Sequence, residues 1–274
     1  MTIEFSTLGW LAAYCKRKNL RQMGAITPGQ IRYSRAGLIN DVGRELVDRL
    51  SQPVPLVTEL LGREKTRPAE EVILSRFRDF VRLAGFLSGD RDFTRDCMAG
   101  ACRYFDPEVN RHQMRVAVLA SLVAENLGLP DENLVSASLL HDFGKIGIPR
   151  EMLNRTQPWS NGERGVIAPL HLLIGLTVTR AIAALREVAE IIRCNHYYDG
   201  YPEGIGDEDI PFEGQVLSMI DYFDALTNPR PSRNGAALSV RDALGKIEAR
   251  RSKPGIKTPY DPRIISVLGK LVLS

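Results

Sequence analysis

Each of the four histidines in this chain, His112, His141, His171 and His196, sits on or beside an apolar segment with helical spacing. Histidines scattered at random would fall mostly on polar faces. Burying a polar side chain is costly unless it is hydrogen-bonded, paired or ligating. A fold that buries several imidazoles must therefore supply their partners. His141 is followed directly by Asp142, a ligand of a different kind, and Lys145 lies one helical turn further on. A cation so placed can meet a phosphate held beside His141 and Asp142.

The surrounding pattern is helical. From Pro107 to Leu127 the sequence reads as one helix, with proline in its first turn and Gly128 and Pro130 ending it. His112 shares a stripe with Val116, Leu119 and Val123, and Glu108 stands one turn before it. A second helix, Glu132 to His141, starts at a capping Asp131 and carries Leu134, Ala137 and Leu140. A third begins near Ser160, where Ser160 and Glu163 form a capping box, and His171 lies in its apolar run Ile167–Val178. A fourth, Arg180 to Cys194, buries Ile182, Leu185, Ala189 and Ile192 and ends beside His196. The fifth, Glu213 to Leu226, turns Asp221 inward with Leu217. Taken singly, each histidine is better read as a satisfied core residue, and Asp221 as an acceptor of backbone hydrogen bonds. One metal site accounts for all of them together. Histidine and carboxylate without thiolate favours Fe or Mn over structural zinc, and Cys194 reads as a core thiol.

Before these helices, Glu70 to Leu87 forms an amphipathic segment that Ser88-Gly89-Asp90 breaks. The reading is an all-α protein with two parts. Residues 1–92 are a smaller helical N-terminal domain without a chemical motif, its role unknown, with packing, sensory and regulatory roles all open, and residues 93–274 carry the chemistry. The apolar fraction of 44% and charged fraction of 25% are those of an ordinary soluble globular protein. A net charge of +3 suits an anionic ligand but not a nucleic-acid polymer. No apolar run reaches the roughly 18–20 residues needed to span a bilayer. Met1 to Leu11 lacks a basic n-region, and the four cysteines show no C-x-x-C spacing. Both point to reduced thiols and a cytoplasmic location.

The order His112, His141-Asp142-x-x-Lys145, His171, His196, Asp221 resembles the HD superfamily of metal-dependent phosphohydrolases. The runs H-D-F-G-K-I-G-I-P, H-L-L-I-G at His171, D-G-Y-P at Asp199 and D-Y-F-D-A-L-T-N-P-R-P-S-R from Asp221 resemble its HD-GYP branch. The likeness covers about residues 105–235. It implies an HD-type helical bundle holding two or three divalent ions, Fe or Mn. It implies as substrate cyclic di-GMP, cleaved to pGpG or GMP in bacterial second-messenger signalling by a metal-activated water. Position by position, His112, His141, Asp142, His171, His196 and Asp221 match metal ligands, with Asp142 as the bridge. Glu108 matches the extra carboxylate of trimetal members. Asp142 and Lys145 match catalytic positions, while Lys145, Arg230, Arg233 and Tyr201 match substrate contacts. Asn195-His196 stands where the branch has paired histidines, and the loop N-H-Y-Y-D-G-Y-P is shorter than usual. Those departures keep two alternatives open: an HD-type hydrolase of another nucleotide, or a catalytically weak cyclic-dinucleotide receptor. A homodimer or a signalling-protein partner completes the expectations.

Overall fold

A computed structural model describes residues 68–86, 91–130, 132–154, 161–196, 209–229, 236–251 and 260–273, with isolated positions between 37 and 60 and residue 206. Among these the regular structure is entirely helical. The helices are α1 (Ala69–Phe86), α2 (Arg91–Phe105), α3 (Pro107–Leu127), α4 (Glu132–Leu140), the single turn α5 (Arg150–Leu153) and α6 (Asn161–Ala181). They continue as α7 (Arg186–Arg193), α8 (Phe212–Thr227), α9 (Val240–Arg251) and α10 (Pro262–Leu273). No helix among the described residues is long and apolar enough to cross a membrane.

The ends of α3 show why this helix is well defined. Asp106 caps it by accepting the backbone N–H of Glu108 at 2.8 Å, and Pro107 occupies the first turn, where no N–H is needed. At the other end Gly128 takes a left-handed conformation, φ 68°. The N–H groups of Gly128 and Leu129 then bond back to Glu125 and Ala124. Between these caps His112, Val116, Ala120 and Val123 are buried on one side.

The polypeptide after α4 tightens into a 3-10 turn, Phe143–Gly147, rather than continuing as a helix. Its packing is backbone to backbone. A Cβ on Gly144 would fall 1.8 Å from the carbonyl oxygen of His171 in α6, so only glycine fits. This contact brings His141 and Asp142 alongside His171. Phe143, fully buried, stacks at a tilt on Phe77 of α1, with ring centroids 5.8 Å apart.

Two expectations need correction. The apolar spacing predicts the fourth helix from Arg180, but Arg180 belongs to the last turn of α6. Ile182 is extended, a 3-10 turn Ala183–Leu185 follows, and α7 starts only at Arg186. Ile182 and Leu185 are both buried across the break, as the i, i+3 spacing of a continuous helix would also have placed them, so the apolar pattern reads through it. His141 lies just beyond α4 rather than within it. The capping residues Asp131 and Ser160 lie outside the described residues. The core also runs across the expected 92/93 division. One cluster includes Val42, Leu56, Ile73 and Phe77 on one side of it and Met98, Leu140, Ile174 and Leu268 on the other. Cys97, Cys102 and Cys194 are buried and form no disulfide among the described residues. Burial pushes the Cys102 thiol up to about 12, as befits an inert core residue.

Candidate metal centre

Five elements converge on one buried cluster. His112 comes from α3, His141 and Asp142 from the end of α4, His171 from the middle of α6, His196 from the turn after α7, and Asp221 from α8. The Nε2 atoms of His112 and His141 face each other at 3.2 Å, their rings edge to face. Asp221 Oδ1 lies 3.0 Å from His112 Nε2 and 3.8 Å from His141 Nε2. The Nε2 atoms of His171 and His196 form a second such pair at 3.0 Å. Asp142 stands between the pairs. Its Oδ2 is 3.6 and 3.5 Å from the Nε2 atoms of His112 and His141, and its Oδ1 is 3.7 Å from His171 Nε2. Candidate donor atoms of His112, His141 and Asp142 lie within 4.8 Å of one another.

The outer ring nitrogens decide what this arrangement can hold. His112 donates its Nδ1–H to Asp224 Oδ2 at 2.6 Å, and His141 donates its Nδ1–H to the carbonyl of Ser138 at 2.8 Å. In its neutral form each ring then presents an unprotonated Nε2 inward. Two lone pairs and the carboxylates of Asp142 and Asp221 therefore point at one volume. Such a donor set calls for a cation, and nitrogen and oxygen donors at this spacing fit a divalent metal.

The electrostatics agree. Burial pushes the Asp142 carboxyl up, but the charges of Lys145, His141, His112 and His171 outweigh it and hold it below the ordinary carboxylate range. Asp221 is also buried, but the His112 hydrogen bond and the charges of His141, His112 and His196 hold it well below that range. For His112, burial is outweighed by Asp221 and Asp224, so its pKa rises. For His141 burial prevails and its pKa falls. Anions thus stay ionised in a site almost closed to solvent, which is what a cation site requires.

The other candidates divide. Lys145 reaches back to pair with Asp142 Oδ2 and remains part-exposed at the cluster's edge. Glu108 does not join the cluster: its side chain is 66% exposed and pairs with Arg111. Tyr201, Arg230 and Arg233 lie outside the described residues. Asn195 is fully buried, and its Nδ2–H donates to Asp221 Oδ2 at 3.0 Å. Sequence reasoning passed over Asp224 and Arg115. Arg115 grips Asp224 with two hydrogen bonds, Nε at 2.7 Å to Oδ1 and a terminal nitrogen at 2.9 Å to Oδ2. Their signal was spacing: Asp224 stands one turn after Asp221, and Arg115 one turn after His112.

Residues 102–263 match the model of the HD domain. The chain belongs to the HD domain family. It is 30% identical to a cyclic di-GMP phosphodiesterase of Thermotoga maritima, over 61% of this chain and 46% of that one. It is 32% identical to the cyclic di-GMP phosphodiesterase response regulator RpfG of Xanthomonas campestris, over 62% of this chain and 45% of that one. It is 29% identical to the 3'3'-cGAMP-specific phosphodiesterase 3 of Vibrio cholerae, over 60% of this chain and 35% of that one. The chain thus spans less than half the length of these relatives.

Proposed function

We propose that this HD domain is a metal-dependent phosphodiesterase that hydrolyses a cyclic dinucleotide, cyclic di-GMP first, in bacterial second-messenger signalling. The observation that carries the reading is the position of Asp142, whose two carboxylate oxygens face two different histidine pairs. His112, His141, Asp221 and Asp142 Oδ2 would hold one metal, and His171, His196 and Asp142 Oδ1 a second. Iron or manganese suits these donors. Bound there, a divalent ion would supply Lewis-acid polarisation of a phosphoryl oxygen and of water. The chain's own residues do the rest. Asp224 and the Ser138 carbonyl fix the histidine tautomers. Lys145, at the open edge, offsets charge that develops on the phosphoryl oxygens. Arg230, Arg233 and Tyr201 are proposed as contacts to the second phosphate or to guanine, where the planar guanidinium fork suits both.

The test is metal analysis joined to turnover. Protein purified without oxygen and without chelator should carry at least two Fe or Mn ions per chain and cleave cyclic di-GMP. Asp142→Ala should lose both metal and turnover. Lys145→Ala should keep its metal and slow turnover roughly 10²–10³-fold, the usual scale for one electrostatic stabiliser. The names of the Vibrio relatives make 3'3'-cGAMP the substrate to run beside cyclic di-GMP. Binding without cleavage by fully loaded protein would decide for a receptor.

A further inference from the structure

The outer side of α3 carries an apolar stripe in the open. Met114, Val118 and Leu122 are 50%, 59% and 40% exposed, and they recur every fourth residue. Arg111 and Glu125 extend the stripe at either end, and both are exposed. At 100° per residue all five side chains lie within about 40° of the direction of Val118. Four exposed turns of a capped helix with an apolar centre and charged ends have the form of a helix–helix seam.

The sequence of this stripe is self-complementary. Val118 is its midpoint, with Met114 and Leu122 four residues to either side and Arg111 and Glu125 seven to either side. Two copies of α3 placed antiparallel about a twofold axis through Val118 bring Met114 against Leu122 twice and Val118 against Val118. The same axis sets Arg111 of each copy opposite Glu125 of the other. No like charges meet: Arg115 falls opposite Ser121, and Glu108 opposite Gly128. A twofold interface requires this kind of matching of one surface to itself. We propose that the chain pairs with a second copy of itself through the outer side of α3. The Arg111–Glu108 ion pair within one chain is exposed and gives way cheaply to the cross-copy pair. One helix seam buries less than the roughly 1,000 Å² typical of a lasting interface, so the dimer is weak and reversible. The proposal is independent of the phosphodiesterase reading, although the paired helix is the one whose inner side carries His112.

Sedimentation velocity of the full 274-residue chain over a concentration series tests it. The wild type should shift from monomer to dimer as concentration rises. Val118→Glu should remain monomeric, with helical content unchanged because the position is exposed. Arg111→Glu or Glu125→Arg alone places two like-charged pairs across the axis and should weaken association roughly tenfold or more. The double variant Arg111→Glu, Glu125→Arg restores opposite charges and should recover most of the wild-type affinity. A wild type that stays monomeric throughout overturns the proposal. So does a dimer that survives Val118→Glu, or a double variant no better than either single one.

Discussion

At the scale of single residues, the orientation of Asp221 is the point on which the first histidine pair depends. Asn195 donates to Asp221 Oδ2, which leaves Oδ1 to face His112 and His141. The backbone of Asn195 is itself held, its carbonyl accepting from Ser218 Oγ at 3.0 Å. Removing a partner that orients a ligating carboxylate typically costs 10–100-fold in metal affinity. Asn195→Ala should therefore lower metal affinity by about that factor while the fold persists. Metal titration followed by elemental analysis and circular dichroism would measure both, and unaltered affinity would show that Asp221 needs no such support. Glu108 gives the opposite expectation. Exposed and paired with Arg111, it has no part in the cluster. Glu108→Gln should leave metal content and turnover unchanged, and a loss of one ion per chain would bring Glu108 back as a ligand. The cluster is legible in the sequence because imidazoles and carboxylates on apolar helical stripes all need buried partners, and a shared cation meets that need for every one of them. Glu108 shares a stripe with His112 by spacing alone, and spacing does not record that the first turn of α3 faces solvent.

At the scale of elements, the close approach of the 3-10 turn to α6 positions the two halves of the site. Gly144 lies against the His171 carbonyl, and Gly175 sits opposite it in α6. Alanine at 144 must push the two backbones apart, and overpacking of this kind costs about 1–3 kcal/mol or more. For a chain of this size that is a fall in melting temperature of roughly 2–12 °C. Gly245, within α9, has open space where a Cβ would go. Gly245→Ala should instead leave stability unchanged or raise it by about 0.4–1 kcal/mol. Thermal melts of the two variants compared with wild type check the contrast, and equal effects would refute the packing argument. The element scale also shows what the sequence concealed. The caps of α3, a proline at its start and a glycine at its end, are strong local signals, and the helix matches them. The helix α2 has no such caps, and its buried side mixes Phe93, Met98 and Phe105 with the small or weakly apolar Thr94, Cys97, Gly100, Ala101 and Cys102, which blurs its stripe. The helix α9 buries only Ala243 and Ile247, too few for a visible stripe. The break between α6 and α7 has no glycine or proline to announce it, and Ile182 and Leu185 keep the i, i+3 spacing of one continuous stripe across it.

At the scale of the whole molecule, the question is whether residues before 91 form a unit of their own. The Ser88-Gly89-Asp90 break suggests a boundary, since local sequence reports where a helix ends but not where its apolar side packs. Phe77 and Ile73 of α1 are fully buried, and Phe77 meets Phe143, the residue next to Asp142. Leu56 lies against Gly147, where an added Cβ would stand 3.1 Å from Leu56 Cδ2. The 3-10 turn that carries Lys145 is thus covered by side chains from before the expected boundary. Phe77→Ala should cost about 3–5 kcal/mol, a large part of the roughly 5–15 kcal/mol that stabilises a typical domain. A chain starting at residue 91 would leave Phe143 and the outer side of α6 without their cover. Such a fragment should lose the cooperative thermal transition of the full chain and expose apolar surface to a hydrophobic dye. It should also take up metal poorly, because the turn next to Asp142 loses its backing. Calorimetry of the full chain and of residues 91–274 decides the matter. A single transition in the full chain with none in the fragment is the expected result. A fragment that melts at the full chain's temperature and binds its full complement of metal would establish the N-terminal part as a separate domain.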